Sequence, residues 1–125
     1  MLKTMKKIIS VSLSLLFILS YNMTAFAAES DSVYIYAGSA TGCGTLRLER
    51  WYASASLTSN TECYLDIDGY VIADDGTHYL LDGADETISV YSSYNSPYSE
   101  LSYAYCLFTV AHDTETSRDS ITLSF

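Results

Sequence analysis

Residues 63–81 read CYLDIDGYVIADDGTHYLL, and the first part of this stretch alternates strictly in character. Cys63, Leu65, Ile67, Val71 and Ala73 occupy one set of alternate positions, and Tyr64, Asp66, Asp68, Tyr70 and Ile72 the other. A period of two places each set on its own face of a β-strand, and only the first set suits a core. Gly69 falls in the inward set and suggests a bulge. The strand ends at Asp74-Asp75-Gly76, because Asp-Gly tolerates the positive φ angles of a tight hairpin turn. An EF-hand calcium loop is not present: counted from Asp66, the glycine arrives at the fourth position instead of the sixth, and strand residues follow.

The same pattern extends outward. Residues 101–112, LSYAYCLFTVAH, place Ala104, Cys106, Phe108 and Val110 inward and Tyr103, Tyr105, Leu107 and Thr109 outward. Further strands are expected at 32–37, 45–57, 77–81, 86–92 and 119–125, with 62–73 as the strand of the opening stretch. The segment 92–99, SSYNSPYS, holds the single proline and reads as a loop. Helix signals are almost absent after residue 27, and turn residues recur at short intervals. The expected fold is an all-β, small antiparallel β-sandwich of about seven strands in one domain, residues 28–125. It resembles an immunoglobulin-like arrangement in broad architecture only, since Ala104 stands where a tyrosine-corner residue is expected and Trp51 precedes both core cysteines.

The first 27 residues have the form of a secretory signal peptide: Lys3, Lys6 and Lys7, an apolar run from Ile8, then small residues with Ala25 and Ala27 at the cleavage register. The leader suits a bacterial exporter, and the expected location is secreted, extracellular. Beyond it, three arginines face fifteen acids, a formal charge of −12, and lysine is missing altogether. Such a field repels phosphate backbones and anionic headgroups, so nucleic acid is excluded as a partner, as is a membrane after signal cleavage.

Three cysteines remain in an oxidising compartment, so two can pair in three ways and the third stays over. Cys63 and Cys106 both lie on core faces of long strands and are the first choice for a disulfide. Cys43, in GSATGCGT, is expected to be exposed and to be a disulfide partner or an idle thiol instead of a reactive one, for want of a cation closer than Arg47.

The acids, histidines and tyrosines carry the candidate chemistry. Asp66 and Asp68 share a strand face roughly 7 Å apart, within the range of paired glycosidase carboxylates. Nothing in the sequence desolvates either one, so no catalytic residues are assigned. His78 and His112 have acids nearby but no nucleophile-elbow motif. The run DGADE, 82–86, is read as a solvated acidic turn, with a local calcium site as its alternative; no metal ligands and no cofactor are assigned.

Tyrosine is the distinguishing feature, with eleven of the twelve located after residue 27. Tyr64, Asp66, Asp68 and Tyr70 on one strand, Tyr103 and Tyr105 on another, and Tyr94 and Tyr98 in the loop region form the candidate binding surface. Tyrosine supplies large contact area at low entropic cost, and cross-strand packing is the competing use. The expected function is therefore a non-catalytic module that binds an extracellular protein or glycan. A secreted toxin or bacteriocin-like effector is the alternative, and a small hydrolase the third.

Overall fold

A computed structural model describes residues 28–125; the leader expected at 1–27 lies outside the described residues. The chain is all-β. Six antiparallel strands follow in order: β1 (Glu29–Ala37), β2 (Ala40–Leu48), β3 (Tyr52–Ala73), β4 (His78–Asn95), β5 (Leu101–His112) and β6 (Glu115–Ser124).

The strand count falls one short of the expected seven because boundaries moved. The expected strand 45–57 breaks at 49–51, where Glu49 N donates to the Tyr52 carbonyl at 2.7 Å. Its second half continues through 59–62 into the alternating stretch, giving the 22-residue β3. The expected strands 77–81 and 86–92 likewise fuse into the 18-residue β4. The acidic run DGADE is thus no turn: residues 82–86 pair with Asp68 through Tyr64 of β3, which supplies the ladder partners a turn would lack.

All six strands belong to one sheet, in the order β1-β2-β3-β5-β6 with β4 along the other edge of β3. β2 and β5 share a single edge of β3, β2 pairing with 53–59 and β5 with 64–73. The two hairpins β1–β2 and β5–β6 can meet only if β3 bends between these halves. The bend sits where the β3–β4 register shifts, between Thr58 and Cys63. Folded over in this way, the sheet is nearly closed into a barrel, with β1 lying beside β6.

Glycines permit the closure. A Cβ on Gly44 of β2 would fall 2.7 Å from the Phe108 ring of β5, and one on Gly42 would fall 2.6 Å from a Val110 methyl. Gly69 has a similar purpose in place of the suggested bulge: it pairs in register with Cys106, and a Cβ there would lie 2.3 Å from the Tyr105 carbonyl oxygen.

The inward sets read from sequence are buried. Leu46, Leu48, Leu57, Leu65, Ile67, Val71, Leu81, Phe108 and Val110 are wholly enclosed, each such side chain contributing about 1.5–3 kcal/mol of transfer free energy. The Asp74-Asp75-Gly76 turn forms as expected, with Gly76 at φ 86° and its N–H donating to the Ala73 carbonyl at 2.9 Å.

The β1–β6 seam is held by side chains, with no main-chain ladder across it among the described residues. Gly38 N donates to Glu115 Oε2 at 2.6 Å, Ser39 Oγ to Asp113 Oδ2 at 3.1 Å, and Ser117 Oγ to the Tyr36 carbonyl at 2.6 Å. The β5–β6 turn reaches this position through Asp113 and Thr114, whose φ angles of 52° and 65° are those of a two-residue hairpin turn.

Candidate functional site

Residues directly opposite in antiparallel strands share a face, so the register maps the outer surface of the half-sheet β4-β3-β5-β6. Reading across from β4 to β6, one row is Ala84, Asp66, Thr109 and Arg118, and the next is Asp82, Asp68, Leu107 and Ser120. Beyond these come Leu80, Tyr70, Tyr105 and Thr122, then His78, Ile72, Tyr103 and Ser124. The face therefore divides into an acidic part and an aromatic part.

Tyr70 is the centre of the aromatic part. Its ring centroid lies 5.6 Å from that of His78, 6.1 Å from Tyr103 and 5.5 Å from Tyr105, with interplanar angles of 9°, 29° and 38°. Near-parallel rings this close must overlap, because coplanar rings side by side need more room. The Tyr70 ring thus packs against all three neighbours. Burial and the neighbouring Tyr103 and Tyr105 hydroxyls raise the Tyr70 phenol above its ordinary range. Leu80 stands beside this cluster and is 72% exposed.

In the acidic part Asp68 and Asp82 are direct cross-strand neighbours. The Asp66 carboxyl is raised above the ordinary range, first by partial burial and then by Asp68, with Arg118 opposing and Asp82 adding. Sequence alone offered no reason for this shift; the cause is the arrival of β4 and β5 on both sides of β3.

The fold brings together Tyr64, Asp66, Asp68, Tyr70, Tyr103 and Tyr105. It separates the other two candidates. Tyr94 lies opposite Ala53 on the inward side, where its ring stacks on Tyr79 with centroids 4.0 Å apart. Tyr98 lies in the 96–100 connection and is 95% exposed. His78, Leu80, Asp82 and Arg118 join the face from β4 and β6. Sequence alternation assigns none of these four to a face: Asp82 lies in the expected acidic turn and Arg118 just before the expected last strand.

Cys63 and Cys106 are not brought together. Both are buried and free, but Cys106 faces Gly69, six residues along β3 from Cys63, a separation of roughly 20 Å at strand rise. A disulfide needs Cα atoms within about 7 Å. The Cys63 thiol instead donates to Ser59 Oγ at 3.4 Å.

A groove of about 390 Å³ next to the bend is lined by Glu62, Cys63, Glu86, His112, Asp113 and Glu115, among others. His112 Nε2 lies 3.3 Å from Asp113 Oδ2. With the thiol bonded to Ser59, no thiol–imidazole pair forms there. Nor does DGADE converge on an ion, since alternation sends Asp85 and Glu86 to opposite faces. Among the described residues no group of three or more His, Cys, Asp or Glu side chains is arranged to hold a metal.

The chain matches no protein-family model, no curated protein and no solved structure.

Proposed function

We propose that this protein is a small secreted, non-catalytic binding module whose outer β4-β3-β5-β6 face docks on an extracellular protein. In this reading the folded-over halves of the sheet serve as the two layers of a small sandwich, immunoglobulin-like in broad outline. The observation that carries the proposal is the Tyr70 cluster with Leu80 beside it and Asp68 and Asp82 at its margin. Aromatic side chains ringed by polar groups are what protein interfaces concentrate. The leaning rings favour a protein over a glycan, because a sugar stacks on a ring face and Tyr70 uses its faces on its neighbours.

The test is depletion of residues 28–125 from solution by surfaces coated with extracellular protein, by mucin and by insoluble polysaccharide. Depletion by protein that disappears in a Tyr70→Ser, Tyr105→Ser, Leu80→Ser variant supports the reading. Depletion by polysaccharide alone replaces it with a glycan-binding module.

A second reading, glycoside hydrolysis, draws on the raised Asp66 carboxyl beside Asp68. Against it, Asp68 is exposed to water and Asp66 only half-covered on the outer sheet face. Turnover of a chromogenic glycoside panel that vanishes in Asp66→Asn would establish it.

A further inference from the structure

Among the described residues β4 has a hydrogen-bonded neighbour on one side only. The other outer strands, β1 and β6, close on each other, whereas β4 pairs with β3 alone among the described residues. Between Asp82 and Ser89 the strand is exposed on both faces, half-covered only at Gly83 and Thr87. Ile88, 58% exposed, lies here opposite the β3 bend.

The direction of the edge groups can be read from one bond. Glu86 N donates to Asp85 Oδ1 at 2.8 Å, so this amide points away from β3. Along an antiparallel strand the outward main-chain groups alternate, which turns the N–H and C=O groups of Asp82 and Ala84 outward as well. Such an edge is a template for an added strand.

We propose that the β4 edge around residues 80–88 receives an extended, lysine- or arginine-rich segment of another protein as an additional strand. Charge selects the occupant. Asp82, Asp85 and Glu86 line the edge, Glu62 stands in the groove beside it, and lysine is absent from residues 28–125. A second copy of this chain would set these acids against their own counterparts, and like charges directly opposite are destabilising. A basic segment meets both requirements, its main chain completing the ladder and its side chains neutralising the acids. This site uses main-chain groups of β4 and shares only Leu80 and Asp82 with the tyrosine face.

The experiment is fluorescence anisotropy of residues 28–125 with a labelled nine-residue peptide of threonine and valine carrying arginine at alternate positions. The expected results are saturable binding, loss of binding when the arginines are replaced by glutamate, and a weakening of about tenfold or more when alternate peptide nitrogens are methylated. Methylation keeps the charge and removes the donors. Ala84→Pro should weaken binding similarly, because that N–H points away from β3 and proline is tolerated at such edge positions. A thermal melt confirms that the variant remains folded. Equal binding of the methylated peptide, or an unaffected Ala84→Pro variant, overturns strand addition and leaves charge attraction alone. No binding, or a β4-dependent dimer in sedimentation, overturns the proposed occupant.

Discussion

The rings of Tyr79 and Tyr94, near opposite ends of the single strand β4, stack with centroids 4.0 Å apart and an interplanar angle of 17°. A straight strand would hold residues so far apart in sequence at roughly 50 Å. Their contact therefore records how sharply β4 follows the bend of β3. The Tyr94 phenol is pushed up to about 12, first by its hydrogen bond with Tyr79 and then by burial. In a spectrophotometric alkaline titration Tyr94 should be among the last phenols to ionise. Tyr79→Phe should return it toward the ordinary value of about 10; an unchanged titration would show that the hydrogen bond is not the cause.

Gly69→Ala places a methyl against the Tyr105 carbonyl and the Cys106 Cα, at 2.3 and 2.9 Å. Main-chain atoms of a central strand have nowhere to go, so the expected loss is about 3 kcal/mol. Gly76→Ala is the comparison, with φ 86° but nothing within 4 Å, and should cost about 1–2 kcal/mol from strain alone. Urea midpoints of the two variants give the order directly. For Gly44→Ala the obstacle is the Phe108 ring, a side chain, and a Gly44→Ala, Phe108→Leu double variant should recover part of the loss.

Asp66 gives stability a defined slope with pH. Its folded carboxyl titrates above the ordinary range of about 3.9, so the folded state binds the proton more tightly than the unfolded one. Stability from this group is therefore full below the unfolded value and declines as pH rises through the folded value. Asp66→Asn should raise the urea midpoint at pH 7 and give no gain at pH 3. A gain of equal size at both values would assign the effect to something other than ionisation.

The thiols should react in sequence. Cys43 lies half-buried on the outer face, Cys63 is enclosed at the bend, and burial pushes the Cys106 thiol up to about 12. Native protein should label rapidly at one cysteine and at all three only after unfolding, read by intact mass. Protection of two thiols in the unfolded, unreduced protein would show a disulfide in place of the three free thiols of this structure.

What was legible in the sequence was local. Alternation in 63–73 and 101–112 sorted inward from outward side chains, because the pleat obliges successive residues to opposite faces. It could not say which positions stand opposite, and that is where Cys63 and Cys106 were misjudged: two buried cysteines on neighbouring strands are partners only at one register. Strand ends failed for a related reason. DGADE has the composition of a turn, yet a long β3 offered it a ladder, and pairing overrode composition. Tyr94, read as part of the loop surface, turned inward because the bend carried it over to Tyr79.

The side-chain seam between β1 and β6 makes this molecule a tube slit along one line, with β3 as its spine. Three bonds from Ser39, Ser117 and the Gly38 amide fasten the slit, two of them ending on the Asp113 and Glu115 carboxylates. Fluctuations should open it like a book about β3, exposing the Phe108 and Val110 side of the interior before any strand leaves the sheet. Amide exchange in β1 and β6 should accordingly outpace that in β3 and β5.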